Sequence, residues 1–282
     1  MTIQKFLKEN TDLILDLYLN QNKSIDEIVK LLNLKYAQPI YNLLNKHSAF
    51  QKHKNCNVYR KYHINENYFD IIDDEYKAYI LGFIVADGHV SDTSIKIALN
   101  VQDIDILYKI RDAMGSTHPI VEFIKDGKYN HCSINLNSMQ LCRALRCVGV
   151  QSNKSLSMGN IIKYVPDDLK YHFLRGYFDG DGCLTYGAKY SSGTKYLVQI
   201  VGTKEFLETS FNVYFKTNCS LYKYTTCEMY CWKVAKKSQV DDFIIKIYKN
   251  ANIFLSRKYE SAKLKSHLID GKSLIACNTK LI

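Results

Sequence analysis

The chain has 282 residues, 46% of them hydrophobic, with only three prolines, which suits about two packed domains and excludes Pro-rich linkers or a low-complexity body. Lys and Arg outnumber Asp and Glu by 38 to 28, a net charge of +10 that points to a polyanionic partner. The nine cysteines are odd in number and form no CxxC pair, arguing against a full disulfide framework and structural zinc; with no signal peptide or long apolar run, the expectation is a soluble intracellular protein with no membrane partner.

Residues 1–48 read as a small helical domain. Asp12 to Leu19 places its apolar residues on one helical face. Ser24 followed by Glu27 is a capping-box pattern that opens a helix burying Ile25, Ile28, Val29 and Leu32. Asn33 suits a left-handed turn, and a third helix from about Tyr36 to Lys46 buries Ile40, Leu43 and Leu44. This is a helix-turn-helix order, whose second helix reads DNA from its early residues. Gln38, Tyr41 and Asn42 are the candidate base contacts, with exposed Tyr36 beside them. The plain alternative is a trihelical packing unit. Residues 49–65 are a basic linker with Lys52, Lys54, Arg60 and Lys61 placed for phosphate contacts; a solvated connector reads equally well.

The rest of the chain contains one pattern twice. Ile80-Leu81-Gly82-Phe83-Ile84-Val85-Ala86-Asp87-Gly88 returns as Leu174-Arg175-Gly176-Tyr177-Phe178-Asp179-Gly180-Asp181-Gly182. Each copy is the end of a helix, and Gly82/Ala86 and Gly176/Gly180 are four apart on one face. A helical glycine costs about 1 kcal/mol relative to alanine, so close approach of a second helix is the expected reason for it. Asp87 and Asp181 fall at the helix ends, where the dipole disfavours a carboxylate, and Gly88 is expected to stop its helix with a positive φ.

Similar elements follow each copy. In residues 66–165 they are a strand at Ser94–Asn100 with Lys96 and Asn100 on its polar face, a helix at 103–113, strands at 119–125 and 131–137, and a helix at 139–148. In residues 166–282 they are strands at 183–188 and 195–201, a helix from Gly202, a hairpin of 220–225 with 228–234, and a helix at 240–248. Gln199, Lys223 and Lys233 are the candidate polar contacts there. The fold class is therefore α+β: two mixed αββαββα halves related by a pseudo-twofold, behind an all-α domain. If the two glycine faces pack together, Asp87 and Asp181 emerge side by side. Mg2+, held by hard oxygen ligands, would offset their repulsion and support phosphodiester hydrolysis; a metal-free packing motif is the alternative.

Both copies resemble the signature of the LAGLIDADG homing endonucleases in their single-chain, two-motif form, over roughly residues 66–265. The resemblance implies saddle-shaped antiparallel sheets on a long double-stranded DNA target, a monomer, and cleavage of both strands with Mg2+, for which Mn2+ can substitute. It implies that Asp87 and Asp181 bind metal, assisted by the carbonyls of Ala86 and Gly180. It also implies one late basic residue per half, Lys154 and Lys258, with Arg257 a substitute for the second. The sixth motif position differs between copies, Val85 against Asp179. A non-cleaving DNA-binding regulator and an intron RNA maturase are the alternatives on the same fold.

Overall fold

The structure, a computed structural model, describes residues 3–269 apart from 22, 24, 35, 48–60, 126, 151–157, 192, 218–220 and 225–227. It divides into two units, Met1–Lys61 and Tyr62–Ile282.

The first unit holds α1 (Ile3–Glu9), α2 (Thr11–Leu19), α3 (Ile25–Leu31) and α4 (Gln38–Lys46). Ile14, Leu17, Tyr18, Ile28, Ile40 and Leu44 form its core. Asn33 takes φ +49° in the turn between α3 and α4, as its short polar side chain allows. The last helix begins two residues later than expected, at Gln38. Pro39 lies in its first turn, where the missing N–H costs nothing. The α1 helix was not anticipated from the sequence, and the Ser24 cap lies outside the described residues.

In the second unit, α5 (Glu75–Asp87) is followed by β1 (Gly88–Val90), β2 (Ser94–Asn100), α6 (Ile104–Ala113), β3 (Ile120–Lys125), β4 (Tyr129–Asn137) and α7 (Met139–Cys147). Then α8 (Lys170–Asp181) is followed by β5 (Gly182–Tyr190), β6 (Gly193–Gly202), α9 (Lys204–Leu207), β7 (Tyr222–Lys223), β8 (Tyr230–Val234) and α10 (Lys237–Tyr248); α11 (Ser256–Ser266) comes last. The two sheets are open, antiparallel and ordered alike, β1-β2-β4-β3 and β5-β6-β8-β7. This is αββαββα twice.

The same topology is filled by different side chains. Under the first sheet the core is mainly aliphatic, with Ile95, Ile97, Ile106, Ile110, Ile134 and Leu136. Under the second, Phe211, Phe215, Trp232 and Phe243 pack ring on ring, and the Trp232 indole N–H donates to Asn212 Oδ1 at 2.8 Å.

Two local expectations are overturned. Gly88 has φ −74° and is extended, so it does not end its helix by a left-handed turn; Gly182, with φ −85°, is extended in the same way. Their lack of a side chain answers crowding instead. A Cβ on Gly182 would lie 2.6 Å from the Phe178 carbonyl oxygen, and one on Gly88 2.8 Å from that of Ile84. The helix expected from Gly202 starts at Lys204, because Gly202 still pairs with Tyr230 in the sheet. Thr203 caps it, its hydroxyl accepting from the Phe206 N–H at 3.3 Å.

The halves meet along α5 and α8. A Cβ on Gly82 would stand 2.0 Å from the Phe173 carbonyl oxygen and 3.0 Å from Tyr177 N; one on Gly176 would stand 2.0 Å from the Tyr79 carbonyl oxygen and 2.9 Å from Phe83 N. Phe173 and Tyr177 occupy in the second motif the places of Tyr79 and Phe83 in the first, so each glycine meets the same two positions of the opposite helix. That reciprocity is the pseudo-twofold. Gly82→Ala and Gly176→Ala would each gain about 1 kcal/mol of helix propensity. The clash is with backbone that no rotamer can move, and overpacking costs about 1–3 kcal/mol or more. Both variants should therefore unfold at lower denaturant concentration than the native chain, and a rise in the midpoint would refute the steric account.

Candidate metal and nucleic-acid site

The helix α5 starts where Asp74 accepts from the Lys77 N–H at 2.8 Å, and it ends at Asp87; α8 ends at Asp181. Because the helices run side by side, their last turns lie together. A Cβ on Gly180 would be 2.4 Å from the Ala86 Cβ and 3.4 Å from Oδ2 of Asp87. The first motif's carboxylate thus sits against the last turn of the second. The Tyr177 phenol, donating to the Val201 carbonyl at 2.7 Å, is held well above the ordinary tyrosine range by burial and then by Asp181 and Asp87. One side chain therefore feels both carboxylates.

Lys258 closes the second helix end. Its ammonium donates to the carbonyls of Phe178 (2.7 Å), Asp179 (2.8 Å) and Gly182 (2.6 Å), with that of Gly180 at 3.3 Å. A cation there offsets the negative end of the helix dipole. Burial pushes this ammonium below the ordinary lysine range, although Asp179, Asp87 and Asp181 pull upward. Arg257 is occupied elsewhere, pairing with both oxygens of Asp103 at 3.1 and 3.0 Å.

Beneath this end lies a buried polar network. Asp179 accepts from Tyr79 and Tyr248 hydroxyls at 2.8 and 2.6 Å and from the Leu255 N–H at 2.7 Å. Burial raises its carboxyl above the ordinary range against the pull of those donors. Arg175, 1% exposed, donates to the Ile253 and Ile247 carbonyls at 2.9 Å each and to Glu75 at 2.6 Å. Glu75 also accepts from the Asn252 N–H at 2.8 Å and its side-chain amide at 2.7 Å.

No family model matches this chain, and no curated protein matches it. Among solved structures, I-SmaMI bound to an uncleavable DNA is 13% identical, with 68% of this chain and 87% of that one covered at a TM-score of 0.49. I-GzeII in complex with its DNA target is 12% identical, with 69% and 89% covered at 0.47. I-LtrWI bound to target DNA is 13% identical, with 71% and 90% covered at 0.45. The latter two are described as LAGLIDADG homing endonucleases. At such identities and TM-scores, what this chain does rests on its own residues.

Those residues are placed as follows. Asp87, Asp181, Ala86 and Gly180 come together at the paired helix ends. They offer carboxylate and carbonyl oxygens only, the hard donors that suit Mg2+ or Mn2+ rather than a soft metal. Among the described residues there is no group of three or more His, Cys, Asp or Glu that could hold a metal, so further ligands would have to be carbonyls, water or phosphate. Lys96 and Asn100 share the exposed face of β2, and Asn100 Oδ1 also accepts from the Gln102 N–H at 3.0 Å. Gln199 pairs in register with Lys233, and both line a shallow pocket with Tyr222, Lys223 and Cys231. Lys223 ion-pairs with Glu228 at 2.7 Å. In the first unit Tyr41 is exposed and the Gln38 amide donates to Asn42 at 2.9 Å; Lys61 is exposed. Lys52, Lys54, Arg60 and Lys154 lie outside the described residues.

Sequence reasoning missed Glu75, Tyr79, Arg175 and Tyr248. The one sequence signal for this network was the Val85/Asp179 difference. Its partners are tyrosines and backbone groups far away in the chain, which no periodicity announces.

Glu75 gives this network a pH signature. Burial pushes its carboxyl up, but the hydrogen bonds from Asn252 and the charge of Arg175 together hold it below the ordinary range. Its stabilisation is thus present above the unfolded value of about 4.3 and is lost as pH falls through the lower folded value. Glu75→Gln should cost about 3 kcal/mol near pH 7, because it strips a buried guanidinium of its counter-charge. Denaturation curves should show the gap from the native chain narrowing below pH 4, and a gap that is constant with pH would contradict this.

Proposed function

We propose that the chain is a site-specific, metal-dependent endonuclease of double-stranded DNA that acts as a monomer. What carries this reading is the meeting of the two Asp-Gly ends. Two carboxylates at helix C-termini oppose both the helix dipoles and each other, an arrangement that favours a divalent cation. The motif resemblance to LAGLIDADG homing endonucleases supports the same reading, as does the net charge of +10.

Asp87 and Asp181, with the carbonyls of Ala86 and Gly180, would hold Mg2+ or Mn2+. Such an ion supplies Lewis-acid polarisation of a phosphodiester and a more acidic water. The protein's part is to hold the carboxylates still and to bring DNA to them. Gly82 and Gly176 set how close the two helix ends come. Lys258 ties down the carbonyls around Asp181, so that its backbone is fixed before substrate arrives. It acts through the helix end, not as a free acid or base. Lys154 is proposed for the corresponding role in the first half.

Each carboxylate stands where its helix gives way to the first strand of a sheet, so one carboxylate serves one half of the target. Lys96, Asn100, Gln199, Lys223 and Lys233 would contact that target. Lysines at phosphates give affinity without sequence information, whereas amides can read base edges. Both halves belong to one chain, so two cuts need no second copy. In the first unit Gln38, Tyr41 and Asn42 would enter a major groove, and Lys52, Lys54, Arg60 and Lys61 would follow the backbone.

Incubation with Mg2+ and DNA libraries carrying the gene's own flanking sequence should yield one specific double-strand break. Asp87→Asn and Asp181→Asn should each lower that cleavage by at least about 100-fold, the scale of losing a carboxylate that holds a catalytic metal ion, while leaving DNA affinity nearly unchanged. Specific binding by the native chain with no cut in either metal would overturn the reading in favour of a DNA-binding regulator, and selective binding of structured RNA would favour a maturase. Removing residues 1–61 should weaken binding and flatten its salt dependence while cutting persists at higher protein concentration; unchanged affinity and target preference would remove the helical unit from the interface.

A further inference from the structure

The buried network between α5 and α8 is one-sided. The two motifs are 94 positions apart, as the pair Asp87 and Asp181 shows. At that spacing Asp179 corresponds to Val85, Tyr79 to Phe173, Arg175 to Leu81 and Glu75 to Leu169. Each of these four polar residues thus has an apolar residue at the matching position. A device whose task was to join the helices would be repeated by the pseudo-twofold, as the two glycines are. This one is not, and apolar packing does the same work at Val85 and Leu81, both fully buried.

Its hydrogen bonds end on a single segment. Arg175 holds the Ile247 and Ile253 carbonyls, Glu75 holds Asn252, and Asp179 holds the Tyr248 hydroxyl and the Leu255 N–H. Leu255 is the residue on which α11 opens, and Lys258 lies in that helix's first turn. Asp179 is therefore gripped twice. Its carboxylate takes the N–H of Leu255, and its carbonyl takes the ammonium of Lys258. The start of α11 and the end of α8 are closed on each other through this one residue, two positions before Asp181. From the other side, Arg257 and Ser256 reach Asp103 and Asp105 of the first half, so the opening of α11 is anchored to both halves.

We infer that Asp179 is a positioning residue for the half-site of Asp181: by fixing Leu255 it sets Lys258 against the helix end, so that one DNA strand is cut at a half-site assembled through this carboxylate, where the other half carries Val85 at the matching position. The inference rests on the endonuclease reading above. The buried carboxylate does not touch DNA. It acts through Lys258 and the backbone carbonyls around Asp181, and its loss should separate the two strand cuts.

The test uses the full chain and its cleavable target, with a different label on each strand and Mg2+ present. Asp179→Asn keeps the size of the side chain but cannot accept from all three donors, since its amide nitrogen faces a hydroxyl or the Leu255 N–H. Cutting of one strand should slow by about 10-fold or more relative to the other, the effect of losing an outer partner of a metal site. Supercoiled plasmid should accumulate as nicked circles, and DNA affinity should stay the same. A purely structural role would lower the folded fraction and slow both strands alike. Should Asp179→Asn fail to fold, Tyr248→Phe removes one of the three donors while keeping the ring, and the same bias should appear in smaller measure. An equal slowing of both strands, or no slowing in a folded variant, overturns the positioning role while the endonuclease reading stands. If the native chain cuts neither strand, both fall together, and that result is distinguished by the native control alone.

Discussion

Contact between two helix backbones at Gly82 and Gly176 is the constraint on which the rest depends. With a hypothetical Cβ only 2.0 Å from the opposing carbonyl oxygen at each glycine, no other side chain fits without moving a helix. The helices are thereby brought close enough for their last turns to touch, and the carboxylates those turns carry, Asp87 and Asp181, come side by side. The loss in helix propensity from two glycines is small beside the apolar surface buried along α5, where every residue from Ala78 to Val85 is buried. Packing wins over propensity by a wide margin.

A symmetric scaffold carries asymmetric detail. The sheets share strand order, and the glycines are reciprocal in their contacts. The cores do not match: one is mainly aliphatic and the other is built of rings packed at a tilt. The strands differ as well, β1 having three residues and β5 nine, β3 six and β7 two. Topology tolerates this because a sheet packed on helices needs apolar volume of the right amount, whatever its shape. On the exposed faces the same freedom lets each half present different side chains, as a target without symmetry would require.

The polar network at Asp179 belongs to this asymmetry. Buried charges are rarely the cheapest means of holding two helices together; fully hydrogen-bonded, they are a means of fixing geometry. Arg175 and Asp179 each satisfy several partners, and those partners are concentrated in residues 247–255. The network accordingly fixes the chain segment that brings Lys258 to the helix end, rather than the crossing of the helices, which the glycines already set.

From the amino-acid sequence, the duplicated motif, the helix ends at Asp87 and Asp181, the two-strand and two-helix order of each half and the helix-turn-helix order of the first unit were legible, since period, turn residues and internal repetition are local properties. Ser94–Asn100 was read to the residue, because strict alternation leaves one register. The sequence could not distinguish a glycine needed for its φ from one needed for space: Gly88 and Gly182 are extended and crowded, not left-handed. Nor could it choose between Arg257 and Lys258, neighbours in the chain that the fold sends to opposite duties, one to Asp103 and the other to the carbonyls around Asp181. That choice, and the surroundings of Asp179, depended on groups 69 to 154 positions away along the chain. Only the tertiary structure brings them within hydrogen-bonding distance, where a difference of a few ångströms decides which cation meets which oxygen.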